Sequence, residues 1–170
     1  MTIEELSHKE EGLFLKAREL YRKEDSPDTI KSLSNIFIAY NEVHRAYAAL
    51  SAYNIEALKR ALFIQWFALS EPNYLTGISD LNEDIEAKVL ENLSNLIETG
   101  NIDYELTWML NYYASWDWIF DRIKSFKGFD KSVVNEQNNH LPETINREEM
   151  KERGQMGRYW NSLTRFNPGE

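Results

Sequence analysis

Cysteine is absent from the 170 residues, which excludes disulfides, thiolate metal sites and a cysteine nucleophile. Histidine is nearly absent: only His8, His44 and His140 occur. Neither Glu-x-x-His nor His-Glu-x-x-His is found, so the helix motifs that build di-iron and zinc centres are missing, and no metal or cofactor is expected. No Gly-x-Ser-x-Gly elbow occurs. The pair Gly154 and Gly157 follows no strand pattern, so a phosphate loop fails on context; a bend that lets the chain pack closely is the reading for it. No apolar run approaches the roughly 18 residues of a membrane span. Met1 is followed by Glu4 and Glu5 rather than by a basic and then an apolar stretch, so no secretory leader is expected and a cytoplasmic location is the default.

Acid, apolar bulk and helical period are what remain. The chain has 28 acidic against 19 basic residues, a net charge of −9, and 42% hydrophobic residues. The excess is concentrated in residues 80–105, where Asp80, Glu83, Asp84, Glu86, Glu91, Glu98, Asp103 and Glu105 face the single base Lys88. Such a stretch repels phosphate backbones and anionic lipid, so binding to nucleic acid or a membrane is not expected. It reads either as a solvated helix face or as a steering patch for a basic protein.

Apolar residues recur with a helical period along most of the chain. Thr2 and Glu5 have capping-box spacing ahead of a helix over 3–24, and Ser26-Pro27 starts another over 27–51. Asn54 precedes a helix over 55–70 that is apolar on both sides, as expected of an element central in a bundle or facing a second subunit. The residue before Pro72 ends it, and a loop over 73–82 comes next, with Tyr74, Leu75 and Ile78 tucked beneath. Asp80 and Glu83 have capping-box spacing, so a helix should begin near 81–83 and stop at Gly100. Asn101 then caps the most apolar helix, over 102–126. The stretch 130–145 reads as a surface connection. A weaker helix over 147–165 comes after it, interrupted at Gly154 and Gly157. No strand alternation stands out. The fold class is therefore all-α: an antiparallel bundle of five to six helices over 1–129, and a connection with a C-terminal helical arm over 130–170, packed on the bundle or on a second subunit. The broad apolar faces suggest a homodimer.

Two sets of residues are candidates for function. His44 lies in the apolar arc of the second helix, one turn from Tyr40 and near Tyr47. Gln65 lies similarly in the third, beside Trp66. Inward-pointing polar groups need partners, since an orphan costs about 1–3 kcal/mol. They form either a buried network that fixes helix register or the polar end of an aromatic-lined ligand pocket between the second, third and fifth predicted helices. The other set is Glu91 and Glu98 on the acidic helix, with Trp118, which projects away from the main apolar arc of its helix and is a candidate contact anchor. The pairs Asp80/Asp84 and Asp117/Asp121 read as solvent-facing carboxylates and a cap. No catalytic constellation emerges, so the reading leans away from an enzyme. A non-catalytic acidic interaction protein that engages a basic partner, an immunity-type inhibitor for example, is the first expectation. A small-molecule-binding or catalytic bundle using His44, Gln65, Tyr40, Tyr47 and Trp66 is the alternative.

Overall fold

The computed structural model describes residues 1–116, 121, 123–126, 134, 141–142 and 145–164. Among these the chain forms helices and no strand: α1 (Ile3–Leu20), α2 (Pro27–Leu50), α3 (Ile55–Ser70), α4 (Asn73–Thr76), α5 (Glu83–Glu98), α6 (Tyr104–Ala114), α7 (Arg147–Lys151) and α8 (Gly154–Leu163). No helix among the described residues is long and apolar enough to cross a membrane.

The helix starts arise from local chemistry. Thr2 Oγ1 accepts from Glu5 N at 3.2 Å while Thr2 N donates to the Glu5 carboxylate at 2.8 Å, a reciprocal cap. Ser26 and Asn54 accept from the amides three residues on. Side-chain caps of this kind contribute about 1 kcal/mol each by satisfying amides that have no partner within the helix.

Packing then orders the helices. α1 lies against α2, α2 against α3, and α5 against both α2 and α3. α3 is buried on both sides: Phe63 and Ile64 on one flank and Leu58, Leu62 and Trp66 on the other are all within 1% of complete burial. α6 joins through large rings, with Tyr113 stacked on Trp66 at 4.9 Å between centroids. α7 and α8 pack on each other, and α8 packs against α1 and α3. Met156 and Trp160 are fully buried there.

Several boundaries differ from expectation. α1 stops at Leu20, because Lys23 N bonds to Leu20 O and closes a tight turn at 3.0 Å. A turn of helix, α4, forms in the expected loop, where Ile78 is buried but Tyr74 and Leu75 stay exposed. α5 is capped by Asn82, which accepts from Ile85 N at 3.1 Å, and α6 by Asp103, which accepts from Leu106 N at 2.7 Å; Asp80 and Asn101 do not cap. The helix expected over 102–126 is interrupted after Ala114, where Ser115 Oγ takes the Tyr112 carbonyl at 2.7 Å, an alternative to continuing the ladder; residues 121, 123 and 124 are helical again.

Candidate functional site

The acidic end of the bundle is built by a loop held from behind. Glu71 is extended, as a residue before proline must be, and the chain turns through α4. Gly77 comes next at φ +74, where a Cβ would sit 2.9 Å from the Ala17 Cβ, so only glycine allows the loop to pass this close to α1. Ile78 then plugs the core, and Asn41 of α2 pins the backbone of residues 80–82. Its amide donates to the Asp80 carbonyl at 3.0 Å, and its oxygen accepts from Asn82 N at 2.9 Å. Asp80 is thereby held at φ +50, a left-handed conformation that aspartate tolerates better than most residues.

Two clefts flank this loop. One, of ≈ 590 Å³, lies between the end of α3, α4 and the start of α5, and is lined by Glu71, Asp80, Glu83 and Glu86 over apolar Leu69 and Ile78. The other, of ≈ 600 Å³, lies toward α2; Asp80, Glu83 and Asp84 line it with Ile38 and a single base, Arg45. Asp80, Leu81 and Glu83 form the shared ridge. Ile38 is 59% exposed and Leu69 37%, so the acids surround apolar patches.

Not all of the acidic stretch faces water. Asp80, Glu83, Asp84, Glu91 and Glu98 are exposed, but Glu86 is buried, and Asp103 and Glu105 turn toward Lys59, which bonds each at 2.6 Å. Asp84, Glu91 and Glu98 succeed one another at seven-residue intervals and so share one stripe of α5. Lys88 pairs with Glu91 at 2.6 Å and partly neutralises that stripe. Trp118 lies outside the described residues.

The inward set divides in two. Gln65 Nε2 donates to the Glu86 carbonyl at 3.3 Å and contacts His44 Nε2 at 3.2 Å. A carbonyl only accepts, so the amide nitrogen is fixed as the donor. His44 Nε2 must then accept, and the ring proton sits on Nδ1, which has no partner among the described residues. Burial holds the His44 pKa down to about 4, so the ring is neutral. Neither His44 nor Gln65 lines either cleft; the α5 backbone at Glu86 stands between. Tyr40 and Tyr47 turn the other way, toward α1. Trp66 is buried among rings.

The group those tyrosines meet is Glu10, which is not among the candidates that the sequence suggests. Tyr47 Oη donates to Glu10 Oε2 at 3.1 Å, Gln155 N donates to Oε1 at 2.8 Å, and Tyr40 donates to the Glu10 carbonyl at 3.1 Å. Burial raises the Glu10 pKa to about 7, against the opposing pull of the Gln155 amide and Arg60. Nearby, Arg153 lies between two carboxylates. Its Nε and Nη2 bond Glu56, and its Nη1 and Nη2 bond Glu105 at 2.7 and 2.9 Å. Burial pushes Glu105 up, but the hydrogen bonds from Arg153 and Lys59 outweigh it and hold the group down to about 2. The signal for Glu10 was in the spacing: it falls four residues from both Leu6 and Phe14, inside the apolar arc of α1. The partner of Arg153 carries no such signal, since Glu56 is 97 positions away.

Among the described residues no group of three His, Asp or Glu side chains is arranged to hold a metal ion. No protein-family model, curated protein or solved structure matches the chain.

Proposed function

We propose that this chain is a non-catalytic binding protein whose acidic end, at the junction of α3, α4 and α5, engages a basic protein partner. The observation that carries the reading is the pair of adjoining clefts sharing the Asp80–Glu83 ridge, in which carboxylates surround exposed Ile38 and Leu69 and Arg45 is the only base among the described residues that line them. A basic amphipathic segment matches both parts, with cations for steering and specificity and apolar side chains for the cleft floors. An immunity-type inhibitor of a basic toxin is one concrete form.

The test is titration of the chain with a synthetic Lys/Leu amphipathic helix and with its Glu/Leu counterpart. The Lys peptide binds, perturbs Ile38 and Leu69 resonances, and weakens steeply as salt shortens the Debye length from about 10 Å at 0.1 M toward about 3 Å at 1 M. The double reversal Asp80→Lys with Glu83→Lys weakens it at least about tenfold, since opposed like charges cost more than 1.4 kcal/mol at such a surface. Equal binding of the two peptides, or indifference to the reversal, removes the proposal.

A further inference from the structure

The first turn of α8 is capped from outside its own sequence. Arg153, at the N-cap position, has no side-chain acceptor to offer the first-turn amides, and the Gln155 amide bonds instead to the Glu10 carboxyl of α1. Room for this contact exists only because residue 154 is glycine. Its φ is +58, and a Cβ there would lie 2.8 Å from the Glu10 carboxyl carbon. Glu10 therefore touches the arm at the point where α8 begins, and it is 1% exposed.

The two charge states of this carboxyl are not equally served. An ionised carboxylate can accept about four hydrogen bonds, whereas Glu10 receives one on each oxygen among the described residues, from Gln155 and Tyr47. The neutral acid keeps the Gln155 bond on Oε1 and, with its proton on Oε2, reverses the Tyr47 contact so that the carboxyl donates to the Tyr47 hydroxyl. The surroundings, taken element by element, add little. Within α1, Glu11 opposes ionisation but is itself paired to Arg158 of α8. From α2, Tyr47 donates to the carboxyl and Tyr40 to the Glu10 backbone. From α3, Arg60 donates to the Tyr47 hydroxyl at 3.3 Å and to the Glu152 carbonyl at 3.4 Å, its Nε is taken by Glu56, and it favours ionisation of Glu10 only through its charge, against the larger effect of burial. From α4, the Thr76 carbonyl is held by Gln155 Nε2. From the arm, Arg153 is committed to Glu56 and Glu105. The ionised form is thus left dry and half-satisfied, and swinging α8 away would admit water to it.

We propose that Glu10 is a proton-operated latch on the C-terminal arm: α8 is seated tightly while the carboxyl is neutral and is loosened when it ionises. The raised Glu10 pKa of about 7 places the transition near neutrality. Linkage gives the sign. Opening α8 admits water and moves Glu10 toward its ordinary 4.5, whereas with α8 closed it keeps its proton up to about 7, so the closed state loses ground as pH rises between these values. The bulk of the arm's burial, Trp160 above all, is unaffected by pH, so the latch biases an opening equilibrium rather than ejecting the arm. The inference is independent of the basic-partner reading.

Amide hydrogen exchange of the full chain tests it, with each rate divided by its intrinsic value at that pH. Protection of Met156–Trp160 falls at least about tenfold from pH 5 to pH 7.5 relative to the Leu62–Trp66 amides of α3, as a local opening linked to one proton requires. Glu10→Gln, whose amide oxygen still accepts from the Gln155 amide while its NH2 donates to the Tyr47 hydroxyl, cannot ionise and abolishes the difference. Should that variant fail to fold, carboxyl carbon titration of the unaltered chain decides the matter. A Glu10 midpoint above 6 supports the latch, and one in the ordinary carboxylate range overturns it. Arm and core protection falling in parallel, or the same arm profile in Glu10→Gln, also overturns it.

Discussion

At the scale of single residues, two buried titratable groups act in opposition. Glu10 is raised from 4.5 to about 7, so its contribution is greatest below pH 4.5 and is lost as pH rises to 7. His44 is lowered from 6.5 to about 4, so its contribution is greatest above pH 6.5 and is lost as pH falls to 4. Each amounts to about 3 kcal/mol at 1.36 kcal/mol per tenfold, and between pH 4.5 and 6.5 the slopes cancel. Urea midpoints of the unaltered chain should therefore be nearly flat across that window. Glu10→Gln should grow more stable with rising pH, by about 3 kcal/mol, and His44→Leu should grow less stable. Parallel profiles for all three chains would show that neither group is held as described. Below pH 4.5 all should weaken together, because protonation of Glu105 releases Arg153 and Lys59.

At the scale of elements, the arm depends on backbone approach as much as on side chains. A Cβ on Gly157 would lie 1.7 Å from the Met150 carbonyl oxygen, so α7 and α8 cannot keep their crossing with any larger residue there. Gly157→Ala should cost about 2–3 kcal/mol, in the range of overpacking. Gly12 is the contrast: it is an exposed helical residue in α1 with nothing within 4 Å of its Cβ position. Gly12→Ala should stabilise by about 0.5–1 kcal/mol, through helix propensity alone. Urea denaturation of the two variants gives the signs, and a stabilising Gly157→Ala would disprove the close crossing. The helix limits show the same division. Caps at Thr2, Ser26 and Asn54 were legible because each acts on the amide three residues away. The early end of α6 was not, because the apolar period continues past Ser115 while its hydroxyl closes the turn.

At the scale of the molecule, bundle and arm share one core. Trp160 is fully buried with Trp108 at 4.8 Å, Tyr112 at 5.1 Å and Tyr113 at 6.0 Å between ring centroids, and it also touches Phe63 of α3. Trp160→Ala should lower global stability by about 3–5 kcal/mol, as for a large aromatic truncated in a packed core. The loss should appear as one cooperative transition, monitored by far-UV and near-UV dichroism together. Two separated transitions would mean that the arm folds apart from the bundle. The negative charge is arranged at this scale too. Asp103 and Glu105 are drawn to Lys59 and Arg153, whereas Asp80, Glu83, Asp84, Glu91 and Glu98 are exposed.

Helical period, caps and breakers act over a few residues, so the sequence alone determined the all-α class, the position of α3 at the centre and the inward aim of His44 and Gln65. Partnership acts across the chain. That Glu10 meets Tyr47 and Tyr40 was decided by the packing of α1 on α2, and that Glu10 meets Gln155 and Arg153 meets Glu56 and Glu105 only when the arm folded back onto α1 and α3. A buried charge is stable only beside its complement, and which complement is near depends on the path of the whole chain rather than on any local spacing.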